Sequence, residues 1–141
     1  MATQPVVATG ACPKRGKKYF TVEEANRALK YVEPVVEDLD AAYRQAMVIR
    51  QSMENQRPED DLQELRQAYE VCMERLNTLL DELHLVGVEF KDFDLGLLDF
   101  PAIHEGREVC LCWKRGEKQI VAWHEAEAGY AGRQEIGQLS S

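Results

Sequence analysis

Two long stretches of this chain place apolar residues three and four positions apart, and a third places them two apart. In the first, Val32, Val36, Leu39, Tyr43 and Ala46 fall at helical spacing, Arg50 interrupts the series and Met53 resumes it. That period puts one apolar stripe on an α-helix. The helix has a defined start: in Thr21-Val22-Glu23-Glu24 the threonine oxygen can accept from the Glu24 amide while the glutamate reaches back, the spacing of a capping box. Pro34 has no amide hydrogen to donate along the helix, so the sequence predicts a kink or a restart there. The polar segment 55–61, with Pro58 inside it, predicts a turn. Leu62, Leu65, Tyr69, Cys72, Leu76, Leu79, Leu83 and Val86 then alternate steps of three and four without a break. They predict a second helix about 37 Å long at about 1.5 Å per residue. Two such helices joined by a short polar turn make an antiparallel hairpin.

Gly87 stands where a helix C-cap glycine belongs, and the period changes after it. Val88 and Phe90 alternate with Glu89 and Lys91. Leu97 to Phe100 is a short apolar run holding Asp99, and Val109, Leu111 and Trp113 share one strand face with Cys110 and Cys112 on the other. A loop at Lys114–Lys118 returns the chain through Ile120–His124. The predicted fold is α+β: a long antiparallel helical hairpin over 18–87, then a small three- to four-stranded antiparallel β-sheet over 88–136 packed on it as one domain. Residues 1–17 are read as a flexible arm and 137–141 as a frayed tail.

The leucine, methionine and tyrosine stripes are read as core. Met47, Ile49, Met73 and Leu80 widen the apolar arc beyond what one neighbouring helix covers. The cover is expected from the sheet or from a second copy, as a homodimer pairing through the helices in a coiled-coil or four-helix arrangement.

The net charge of −8 excludes a generic nucleic-acid binder, since phosphate neutralisation needs a basic surface. No apolar run approaches the ~20 residues that span a bilayer. The N-terminal stretch places its basic residues after a short, broken apolar run, the reverse of a secretory layout. Lys14, Arg15, Lys17 and Lys18 are read as part of a solvated tail, with an acidic partner, the rest of the chain included, as the alternative. Four cysteines, two of them on one strand, are not a disulfide framework, and they predict reduced thiols in a cytoplasmic protein.

Polar groups and large aromatics concentrate between Phe90 and Gln134, which holds both tryptophans and two of the three histidines. Three chemistries compete there. Cys110 and Cys112, with His104 and His124 flanking their strand, supply a Cys₂His₂ donor set for a soft metal, but the C-x-C spacing and histidines not spaced as in a zinc finger favour thiols that fill a sheet face. The preferred reading is therefore no metal and no cofactor. Asp92, Asp94 and Asp99, with His124 and Glu125, supply acid–base or cation-binding groups, against which D-F-D-L-G is a natural turn. Gly129 to Arg133, with Arg107 as a second guanidinium, suits an anion, although it is neither a phosphate loop nor a dinucleotide fingerprint. The structural alternative ties both arginines to the aspartates. Trp113 and Trp123 end adjacent strands and serve either as core or as a partner anchor.

The segments KYFTVEEAN at 18–26, KDFDLGLLDFP at 91–101, GREVCLCW at 106–113, GEKQIVAWHE at 116–125 and GYAGRQ at 129–134 resemble an uncharacterised bacterial family, domain of unknown function 2203. The resemblance covers nearly everything after the arm. It implies a helical segment followed by a compact block in a bacterial, cytoplasmic protein, and it carries no catalytic role. The candidate ligand- or partner-binding residues are Asp92, Asp99, Arg107, Trp113, Trp123, His124 and Arg133. The leading expectation is a non-enzymatic interaction or assembly module. The alternative is a ligand-handling protein or enzyme with an anion or metal site in the C-terminal block. Convergence of these residues on one pocket separates the two.

Overall fold

A computed structural model describes residues 12–138. Helix α1 runs from Val22 to Glu54 and α2 from Leu62 to Val86. Five strands follow in chain order: β1 (Glu89–Asp92), β2 (Leu97–His104), β3 (Arg107–Lys114), β4 (Ala122–Glu125) and β5 (Gln134–Glu135). Each is antiparallel to the one before it, so the sheet is a meander ordered β1-β2-β3-β4-β5. The first four correspond to the strands predicted from alternation, from the apolar run at 97–100 and from the return of the chain after the loop at 114–118. The two-residue β5 has no periodicity of its own and is added by the returning chain.

The helix ends form as their sequences require. Thr21 Oγ1 accepts from the Glu24 amide at 3.0 Å and Glu24 Oε1 from the Thr21 amide at 2.9 Å, closing the capping box. Asp61 caps α2. Gly87 ends it with φ +99°, where a Cβ would lie 3.1 Å from the Lys18 side chain, so both backbone and space call for glycine. Helix α1 does not restart at Pro34: it continues through the proline, which lies on the exposed face.

Leu29, Val32, Val36 and Leu39 of α1 and Leu76, Leu79 and Leu83 of α2 are buried in one cluster with Leu98, Phe100, Val109, Leu111, Trp113 and Trp123 of the sheet. Phe20 meets Phe100 edge to face at 5.3 Å, and its amide donates to the Pro101 carbonyl at 2.7 Å. Tyr43 stacks on Phe93 at 4.5 Å. Arg115, after β3, binds Glu37 bidentately at 2.9 and 2.6 Å and Asp40 at 3.0 Å, fastening the sheet to α1. The turn after β1 lies under this arginine: a Cβ on Gly96 would meet Arg115 Cβ at 2.6 Å.

The arm divides. Residues 1–11 lie outside the described residues, as do 139–141 of the expected tail. Lys17, however, reaches its own sheet, with Nζ 2.7 Å from Glu108 Oε2.

Candidate functional site

Strand alternation sorts the sheet residues onto two faces. Leu98, Phe100, Leu111, Trp113 and Trp123 meet the helices. Leu97, Asp99, Cys110, Cys112, Ala122 and His124 are also buried but belong to the opposite face, outside the main core cluster. Three of these are polar or ionisable groups brought together by register. Asp99 lies directly across from Cys112, and His124 directly across from Cys110, so Asp99, Cys112 and His124 project together from three adjacent strands.

One donor atom from each of Asp99, Cys112 and His124 lies within 4.8 Å of the other two. Nδ1 of His124 is 2.7 Å from the Glu125 carbonyl, and Nε2 is 3.1 Å from Asp99 Oδ1. A nitrogen facing a carbonyl must carry hydrogen and donate. Nε2 is therefore the nitrogen turned toward the carboxylate and the cluster. Burial pulls the His124 pKa down, but bonds to Asp99, Cys112 and the Glu125 carbonyl outweigh it and raise the pKa to about 10. Without an ion, His124 is an imidazolium paired with Asp99. The neighbouring Cys110 thiol is pushed up to about 12, first by burial and then by the charge of Asp99, and stays protonated.

This arrangement decides between two chemistries. A nucleophilic relay needs the cysteine on one ring nitrogen and the orienting carboxylate on the other. Here a backbone carbonyl holds Nδ1, while Asp99 approaches Nε2 from within the cluster. Metal-binding histidines have this second arrangement: one N–H fixed by a carbonyl, the other nitrogen aimed at the ion. Bond lengths near 2.0–2.3 Å place neighbouring ligand atoms of a tetrahedral zinc about 3.2–3.7 Å apart. The His124–Asp99 separation nearly meets that, and the 4.8 Å bound on all three leaves at most about 1.5 Å of closing.

The four-residue metal set considered from the sequence does not assemble. His104 lies on the helix-facing side of the sheet, 5.3 Å from the Trp123 ring, while Cys110, Cys112 and His124 lie on the other. Asp99 joins the cluster in its place. Asp92 accepts from the Leu95 amide at 2.8 Å and closes the D-F-D-L-G turn. Trp113 and Trp123 are core, 0% and 4% exposed.

The arginines are tied down by glutamates and not by the expected aspartates. Arg107 binds Glu125 bidentately at 2.9 and 2.6 Å, which holds the Glu125 carboxyl below the usual range. Arg133 donates to Glu117 at 2.7 and 3.0 Å and to the Cys112 carbonyl at 3.1 Å. Its Nε is buried with no partner. The Asp92 side chain is engaged within its own turn, whereas Glu117 and Glu125 stand on the strands and loop that the arginines cross. The Gly129–Arg133 loop is a short 3₁₀ turn whose Gly132 and Arg133 amides bond inside the loop, so it is not an open anion cradle.

Asp99, Cys112 and His124 line a cavity of about 190 Å³ together with Lys91, Leu97, Ala126, Glu127, Gly129 and Tyr130. Lys91 and Glu127 escape sequence reasoning, because nothing in their local pattern separates them from ordinary surface charges.

Fold and site together define a small α+β protein in which a helical hairpin supports a meander sheet with a buried Asp–Cys–His cluster on its outer face. The chain belongs to the family of uncharacterised conserved proteins called domain of unknown function 2203, whose model matches residues 18–136. No curated protein and no solved structure matches it. Among the described residues no helix is long and apolar enough to cross a membrane.

Proposed function

We propose that this protein is a ligand-handling protein built around a divalent metal centre held by Asp99, Cys112 and His124. The observation that supports this most is the direction of His124: its Nδ1 is fixed on the Glu125 carbonyl, so Nε2 points at Asp99 within the buried cluster. A mixed sulfur, nitrogen and oxygen set suits a borderline ion of the zinc type. This reverses the preference drawn from sequence, which set Cys112 with His104, Cys110 and His124, and Asp99 with Asp92, Asp94, His124 and Glu125, as two separate donor groups. Elemental analysis of protein purified without chelator, followed by Zn²⁺ titration, tests it. One equivalent in the wild type, lost in Cys112→Ser and in Asp99→Asn, is expected. A wild type that takes up no metal, or variants that take up as much, would remove the reading.

A second reading, self-association through the helices, draws support from the half of the hairpin distant from the sheet. Met47, Ile49, Tyr69 and Met73 are only partly buried there, and Val48 and Val71 are each 66% exposed. Light scattering at micromolar concentration tests it: a dimer mass supports pairing, and a monomer mass rejects it.

A further inference from the structure

A tetrahedral ion held by Asp99, Cys112 and His124 is one ligand short. Cys110 shares their sheet face yet stays outside the cluster, and among the described residues no further histidine, cysteine or carboxylate joins it. The missing ligand must come from the cavity that the same three side chains line. Its volume of about 190 Å³ holds about six waters at about 30 Å³ each, or a molecule of comparable size.

We propose that the ion keeps its fourth position open to this cavity, and that the cavity takes a small monocarboxylate whose oxygen completes the coordination while Lys91 faces its charge. The inference rests on the metal reading above. Three-ligand centres with an open position handle ligands, whereas four-ligand centres only pin a fold.

Charge selects the ligand. The Asp99 carboxylate and a metal-bound Cys112 thiolate neutralise a divalent ion, so the centre adds no net attraction of its own. Lys91 is the one cationic side chain among the residues lining the cavity, and Glu127 is the remaining carboxylate. Lys91 is held at 2.7 Å by Glu89, but both side chains are about half exposed, so the pair exchanges readily with an incoming anion. One ammonium beside one open metal position matches a single carboxylate. Glu127 sets itself against a second negative charge.

The test uses the full chain loaded with Co²⁺, whose visible and charge-transfer bands report sulfur ligation and coordination number. Acetate, azide and succinate are the probes. Acetate and azide are expected to change the visible bands saturably, with succinate binding at least fivefold more weakly than acetate. Lys91→Ala is expected to keep the cobalt–thiolate band and to weaken acetate about fivefold, the loss of one half-exposed ion pair. A cobalt–thiolate band that neither acetate nor azide alters overturns the open position while leaving the metal reading intact. Absence of that band in the wild type removes both. Equal acetate affinity in Lys91→Ala overturns the role of Lys91, and succinate binding as tightly as acetate overturns the selection by Glu127.

Discussion

Glu108 joins the arm to the sheet through a nearly buried carboxylate, accepting from Lys17 Nζ at 2.7 Å and from the Tyr19 hydroxyl at 2.8 Å. Burial raises its pKa, but these two partners outweigh burial and hold it below the ordinary value of 4.5. On acidification the unfolded chain therefore takes up this proton first. The stabilisation from Glu108 is fully present above pH 4.5 and is lost as the pH falls through the lower folded value. Glu108→Gln is expected to flatten the acid limb of a Tm-against-pH curve below that point and to lower stability at neutral pH by roughly 1 kcal/mol. A variant whose acid limb matched the wild type would contradict this. Arg133 belongs to the same scale. Its partner Glu117 is 23% exposed and would keep only the Lys114 amide, so Arg133→Ala is expected to cost roughly 1–3 kcal/mol, read as a lower Tm. An unchanged Tm would mean that the guanidinium does not fasten the loop to the strand.

At the scale of elements, the helices were legible almost residue by residue, because a stripe of period 3.6 with a capping box and a C-cap glycine has few other solutions. At Pro34 the helix runs on without the restart that the sequence allowed. The proline breaks one backbone bond, to the Lys30 carbonyl, but Val32, Val36 and Leu39 are buried on either side of it and hold the helix together. Helical stability in a packed protein comes mostly from the buried face. Pro34→Ala should then restore a bond at an exposed position and raise stability by roughly 1–2 kcal/mol, less any gain in unfolded-chain entropy. Thermal unfolding followed by circular dichroism checks it, and a lowered Tm would show that α1 depends on the proline. The strands β1 to β4 were legible from alternation, a short apolar run and one hairpin loop. The fifth was not, since Gln134 and Glu135 pair with β4 only because the loop before them delivers them there.

At the scale of the whole molecule, an ion that binds the folded chain alone must stabilise it. Zn²⁺ at a free concentration a hundred times its Kd is expected to add about 2.7 kcal/mol. The same addition should leave the Tm of Cys112→Ser nearly unchanged. Equal shifts in both proteins would place any bound zinc elsewhere. The candidate site exists only at this scale. Asp99, Cys112 and His124 come from three strands, and 13 and 12 residues of chain separate them in turn.

The sequence by itself determined the two helices with their apolar faces and the strands β1 to β4, because these follow from local periodicity and from end signals a few residues long. It also marked the block from Phe90 to Gln134 as chemically dense, and it named Asp99 and Cys112 as candidates in two separate groups, with His124 in both. Only the tertiary structure decided which of them meet. In an antiparallel sheet a slip of one residue exchanges the two faces of a strand, so register separates His104 from Cys112 and sets Asp99 opposite it. Partner choice among the charges was settled the same way. Glutamates and aspartates are interchangeable to a sequence pattern, and only the path of each strand brought Glu125 to Arg107 and Glu117 to Arg133.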